Sequence, residues 1–165
     1  MPYRNFKLGI VILNYGDPKL CINLVKSLVK TKERFNIIIV DNFSTRLNLK
    51  KLEKFIINYN HKFIYLIKSK NLGYGVGNNL GLKMSFNQLK SDYSLVLNPD
   101  ISLKKTCSFS SLKFIKKNEK CLFTGIINEN NKNRSLYKFN KLTLRLSSYD
   151  KKISNGIFPV IPSGS

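Results

Sequence analysis

Four short apolar runs, separated by stretches of helical periodicity, dominate the first hundred residues. They are Leu8–Leu13 (LGIVIL), Ile37–Val40 (IIIV), Phe63–Ile67 (FIYLI) and Ser94–Leu97 (SLVL). A continuous run rich in Ile, Leu and Val is what a strand looks like when both faces of its sheet are covered. Between the first two, Leu20, Leu24 and Leu28 with Cys21, Val25 and Val29 form a helical stripe, with Asp17 as a cap and Pro18 at the first helical position. Leu49, Leu52, Ile56 and Tyr59 repeat the pattern, and a third helix runs through Leu80 and Met84. Strands alternating with helices at this spacing predict a parallel sheet wrapped on both sides.

The bulk numbers fit one folded domain. At 165 residues with 42% hydrophobic content, the chain is long enough for a substantial core. The longest strand-like run, Leu8–Leu13, is far shorter than the roughly 20 residues a membrane-spanning helix needs, and no signal-peptide pattern accompanies it. Cys21, Cys107 and Cys121 are widely spaced with no CxxC pair, which argues against a disulfide framework or a zinc site and for a reduced, cytoplasmic chain. The net charge of +20 favours anionic partners in general. It is carried mostly by Lys, alongside abundant Asn, Ile, Phe and Tyr, a bias that an AT-rich gene produces unaided. No basic run is interleaved with base-stacking aromatics, so nucleic-acid binding is not expected.

With only 9 Asp and Glu residues, their placement is informative. Asp41 and Asp100 both follow predicted strands, on the edge where open α/β sheets build ligand sites, although Asp is also an ordinary turn residue there. Between them lies NLGYGVGNNLG, Asn71–Gly81. It fits neither GxGxxG, because residue 78 is Asn, nor the Walker pattern. Its glycines suit close backbone approach to an anion at a helix N-terminus, or tight helix packing. His61 reads as a surface residue.

Taken in order, VILNYG (Val11–Gly16), IIIVDNFST (Ile37–Thr45), NLGYGVGNNLG and LVLNPD (Leu95–Asp100) resemble the inverting nucleotide-sugar glycosyltransferases of family 2, and within them the rhamnosyltransferase-like group. The resemblance implies a GT-A fold, a Rossmann-like, mostly parallel sheet flanked by helices. It covers residues 1–103 of a single 1–165 domain whose C-terminal part is incomplete. It places Leu13, Asn14 and Tyr15 beside the nucleobase, Asp41 on the base or ribose, and Asn71, Gly73 and Asn79 near the donor. Many members carry Arg before that last Asn; this chain has Asn78, leaving Lys68 or Lys70 as the nearby cations. The family's Asp-x-Asp motif matches Asn98, Pro99 and Asp100, so Asp100 is the implied ligand of a Mg²⁺ or Mn²⁺ ion bound with the donor diphosphate.

The implied activity is transfer of a sugar from a nucleoside diphosphate sugar to a glycan or lipid-linked acceptor in bacterial surface polysaccharide synthesis. The implied location is the cytoplasm, peripheral at the inner face of the cell membrane, with the positive charge meeting anionic lipid. The family's general base follows a Ser-Gly-containing strand resembled by Pro162–Ser165, and Glu119, Glu129 and Asp150 do not match its setting. The acceptor half is therefore expected to be absent. The rival readings are an inactive glycosyltransferase-like binding protein and a basic nucleic-acid-binding protein. In the last third, a helix is predicted around Phe109–Ile115, a strand over Leu122–Ile127 and a polar loop over Asn128–Asn133.

Overall fold

The computed structural model describes residues 7–31, 34–59 and 63–101, and five strand segments between 127 and 161. Two compact units emerge, Met1–Cys107 and Ser108–Ser165.

The first unit is built on β1 (Leu8–Asn14), β2 (Asn36–Asn42), β3 (Ile64–Ser69) and β4 (Tyr93–Leu97), in the order β3-β2-β1-β4. All three pairings are parallel. The chain steps outward from β1 to β3, then crosses back over β1 to lay down β4. With right-handed crossovers, that reversal puts the first two helices on one face of the sheet and the third on the other. Ile10, Val11 and Ile12 at the centre are fully buried, as are Ile37 to Val40 beside them. Each such side chain contributes about 1.5–3 kcal/mol relative to exposure.

Helix α1 (Lys19–Val29) buries Cys21, Leu24, Val25 and Leu28 as its periodicity requires. It starts one residue later than predicted. Asp17 accepts from the Lys19 amide at 3.0 Å, and the Pro18 carbonyl takes the first helical bond, from Ile22 N at 2.8 Å. Helix α2 (Arg46–Tyr59) buries Leu52 alone. It lies beside α1, with Lys26 Nζ 5.8 Å from the centre of the Phe55 ring.

Helix α3 (Gly73–Lys83) covers β1 and β2 from the opposite face. Two of its glycines make this approach possible. A Cβ on Gly77 would stand 2.6 Å from Leu13 Cδ1, and one on Gly81 would stand 2.4 Å from Val11 Cγ1. The helix ends in a π-helical turn, Met84–Gln88, where Ser85 is fully buried and its Oγ meets Ser94 Oγ at 2.5 Å.

The second unit contains β5 (Ile127–Glu129) antiparallel to β6 (Lys132–Arg134), and β7 (Tyr137–Asn140) between β8 (Arg145–Ser148) and β9 (Val160–Ile161). The predicted polar loop Asn128–Asn133 is thus largely a hairpin. Its Asn, Glu and Lys side chains have low strand propensity, but the ladder is made by backbone groups that propensity does not report. The predicted helix Phe109–Ile115, the strand before Ile127, His61, Glu119, Asp150 and Pro162–Ser165 lie outside the described residues. Among the described residues no helix is long and apolar enough to cross a membrane.

Candidate functional site

Strand order reverses between β1 and β4, which puts the natural crevice of this sheet outside their C-terminal ends. The sequence sends polar residues there. β1 closes on Asn14 and β2 on Asp41 and Asn42, and all three are buried, at 1%, 2% and 3% exposure. Buried polar groups of this kind require partners.

Asn14 and Asp41 are register partners on adjacent parallel strands, so their side chains share a face. Asn14 Nδ2 donates to Asp41 Oδ1 at 3.0 Å and to Ser44 Oγ at 3.2 Å. Asp41 also accepts from the Ser44 amide at 3.2 Å and from the Ser44 hydroxyl at 2.5 Å. The same hydroxyl lies 2.9 Å from the Gly16 carbonyl, tying the loop after β1 to the loop after β2. Three donors converge on one carboxylate, which leaves Asp41 little spare acceptor capacity and holds it rigidly.

Asn42, one residue on, points to the α3 face. Its Oδ1 accepts from Leu72 N at 3.0 Å, and its Nδ2 reaches the Gly73 carbonyl at 3.3 Å and Asn71 Oδ1 at 3.5 Å. Asn71 Oδ1 in turn accepts from Gly73 N at 3.1 Å. Gly73 has φ +76°, a left-handed conformation that glycine adopts without strain. Tyr74, in the first turn of α3, donates its hydroxyl to Asn98 Oδ1 at 2.9 Å, closing the crevice between α3 and the end of β4. Phe43 stands between the two anchored stretches at φ +86° with 59% of its surface exposed. For a bulky residue that backbone is strained, and the bonds of its neighbours hold it there.

The structure therefore joins Asn14 with Asp41, Asn71 with Gly73, and Asn98 with α3. Tyr15 is exposed at the edge, and Leu13 packs beneath Gly77. Asn79 is exposed on α3. Asn78 is buried and its Oδ1 has no hydrogen-bond partner in the structure. Lys68 and Lys70 are both exposed, and Lys68 is paired with Glu53. Asp100 stands apart from this network. It is exposed, and lines a depression of about 200 Å³ with Leu20, Asn23, Leu24, Ser27, Pro99 and Ile101.

For a divalent metal, the test is the donor set. Among the described residues no three His, Cys, Asp or Glu side chains gather as a cation cage. Asp100 is nevertheless an exposed carboxylate two residues from the Asn98 amide oxygen, and one carboxylate is enough for Mg²⁺ where phosphate oxygens and waters complete the shell.

Sequence reasoning missed Ser44, Asn42 and Tyr74. The Asp41-x-x-Ser44 spacing could have revealed the first, because an aspartate accepting from the amide three residues on is a common turn closure. Nothing local announces the Tyr74–Asn98 contact.

Cys21 lies on the Asp41 side of the sheet. Burial first, then the Asp41 charge, pushes its thiol up from 9.0 to about 12. The protonated thiol is thus favoured by folding. That contribution to stability is complete below pH 9 and is lost as pH rises toward 12. In a Cys107→Ser/Cys121→Ser background, a thiol reagent at pH 8 should leave Cys21 unmodified until the chain is unfolded; rapid labelling of the native protein would contradict this burial.

Comparison with known proteins agrees with this architecture. Glycosyl transferase family 2 matches residues 9–164. A hexosyltransferase of low-salt glycan biosynthesis, Agl10 of Haloferax volcanii, is 33% identical over 99 residues, covering 59% of this chain and 29% of that protein. Two crystal structures of S. aureus TarS share the fold. The 1–349 fragment has a TM-score of 0.51 at 23% identity, over 68% of this chain and 32% of its own; the other scores 0.50 at 22%, over 73% and 21%. The chain thus spans under a third of the length of each of these relatives. Its parallel four-stranded sheet flanked by helices is the α/β arrangement of the GT-A fold, and the chain belongs to glycosyl transferase family 2.

Proposed function

We propose that residues 7–101 bind the nucleoside diphosphate sugar donor of an inverting, metal-assisted glycosyltransferase acting on a glycan or lipid-linked acceptor in bacterial surface polysaccharide assembly. The observation that carries this reading is the Asn14–Asp41–Ser44 cluster at the C-terminal ends of adjacent parallel strands, beside the reversal of strand order. In this reading Asp41, held by three donors, presents its remaining lone pair to an N–H or O–H of the base or ribose. Tyr15, Asn71, Gly73 and Asn79 border the donor, and Leu13 and Asn98 set the positions of α3 and its first turn. The likeness to a hexosyltransferase supports a hexose as the transferred sugar, and the rhamnosyl-like character rests on the four sequence segments alone. A cytoplasmic location at the inner membrane face belongs to the same proposal.

Asp100 would hold Mg²⁺ or Mn²⁺, with Asn98 beside it. When bound, such an ion neutralises charge building on the departing diphosphate. Removing one unit charge at about 4 Å, at an effective dielectric near 20, amounts to about 4 kcal/mol before screening. Asp100 is exposed, so much of that is screened, and Asp100→Asn is expected to weaken metal-dependent binding at least about tenfold. Calorimetric titration with UDP and dTDP, each with Mn²⁺ and again with chelator, tests this. Binding that is indifferent to both chelator and Asp100→Asn would remove the metal from the assignment, and no nucleotide binding by the folded chain would overturn the donor site.

A further inference from the structure

Helix α2 is unusual in how little of it faces the core. Of its 14 residues, Leu52 alone is buried. Phe55 and Tyr59, the aromatic residues of the helix, lean on each other with ring centres 5.1 Å apart and are half-buried. Outward, Leu47, Lys50, Lys51, Lys54 and Ile57 recur at i, i+3, i+4, i+7 and i+10, one continuous face about 15 Å long. Leu47 and Ile57 at its two ends are 66% and 74% exposed, and the three lysines between them are exposed as well. The helix has a single acid, Glu53, and Lys68 takes it. The neighbouring helix α1 adds Lys19 and Leu20, the latter 53% exposed, at the end nearest the donor crevice.

We infer that this α2 face, with the start of α1, docks the protein on an anionic lipid surface. Charge complementarity names the partner. Lysines flanked by large exposed aliphatics suit a bilayer interface, where the cations meet headgroups while the aliphatic groups enter the acyl boundary. A single-stranded nucleic acid would ask for exposed aromatic platforms, and the large exposed groups on this face are aliphatic. The purpose of the docking rests on the function proposed above. Both α1 and α2 begin at the edge of the sheet that carries Asn14, Asp41 and Asp100, so a bilayer along this layer brings the donor edge close to a lipid-linked acceptor.

The test is co-sedimentation of the full chain with vesicles of phosphatidylcholine alone and with three-tenths phosphatidylglycerol, at low salt and at about 0.5 M salt. Binding to the anionic vesicles, lost at high salt, is expected. Lys50→Glu/Lys54→Glu should weaken it roughly 25-fold or more, from about fivefold per lysine near the surface. Leu47→Ser/Ile57→Ser should also weaken it, whereas Lys83→Glu/Lys90→Glu on the opposite side, with the same change in net charge, should have a small effect. Circular dichroism checks that each variant is folded. UDP titration of the α2 variants separates the two proposals, since failure of nucleotide binding leaves the vesicle result standing. Equal losses in the two lysine pairs would show that the net charge of +20 acts diffusely and would overturn the assignment. So would equal binding to neutral vesicles, no binding at all, or an α2 effect seen with polyuridylate RNA and not with vesicles.

Discussion

Asp41→Ala is expected to destabilise the chain by about 2–4 kcal/mol and to abolish nucleotide binding. The asymmetry of hydrogen-bond energetics sets the size of the effect. Asn14 Nδ2 keeps Ser44 Oγ as a partner after the substitution, and the Ser44 hydroxyl can turn to the Gly16 carbonyl. The Ser44 amide keeps neither, because the Asp41 carboxylate is the acceptor the structure gives it. One part-buried donor is thus orphaned, and charge-assisted bonds are lost from a site at 2% exposure. The loops after β1 and β2, stitched together through Ser44, would loosen. Asp41→Asn preserves the shape but replaces one acceptor oxygen with an amide, and should cost about 1–2 kcal/mol. Denaturant titration measures both, and calorimetry below the unfolding transition reads binding separately. An alanine variant as stable as the parent would mean that water replaces the carboxylate in the network.

Gly81→Val is expected to cost about 2–3 kcal/mol, for a steric reason. The added Cβ would lie 2.4 Å from Val11 Cγ1 and 3.2 Å from Val40 Cγ2. Both valines are fully buried and branched at Cβ, so neither can swing aside. α3 must lift from the sheet, and with it the Gly73–Tyr74 turn that reaches Asn98. Gly77→Ala is the instructive contrast. Its nearest obstacle is Leu13 Cδ1 at 2.6 Å, the tip of a longer, half-buried side chain that can rotate. Alanine in a helix also recovers about 0.5–1 kcal/mol relative to glycine, so Gly77→Ala should come out near neutral. Equal destabilisation by both substitutions would contradict the packing described for Val11.

These two positions also show where the sequence is legible. The alternation of apolar runs and helical stripes is enough to locate the first four strands along the chain, because hydrophobic periodicity reports burial directly. It stops short at strand ends. The run Ile37–Val40 marks β2, yet the strand continues through Asp41 and Asn42. They are buried polar residues whose partners, Ser44 apart, lie 27 to 31 positions away, and no local window contains both members of such a distant pair. The glycine-rich segment was legible as special, but its duties could not be apportioned. Gly73 supplies a left-handed turn, while Gly77 and Gly81 make room for β1. The hairpin across Asn128–Asn133 was hidden for another reason, since its pairing uses backbone groups that every residue there possesses.

The order β3-β2-β1-β4 carries a consequence for how the chain is made. The central strand is synthesised first, and one of its two neighbours comes last: Leu8 pairs with Tyr93. At about 5–20 residues per second, a ribosome leaves that side of β1 unpartnered for roughly 4–17 s. During that interval β1 to β3 can assemble, but an apolar strand edge stays open. Birth of this fold is therefore a race between the emergence of Tyr93–Leu97 and any other strand that reaches β1 first, and slowed translation between Ser69 and Tyr93 should raise the aggregated fraction while leaving the finished protein unchanged.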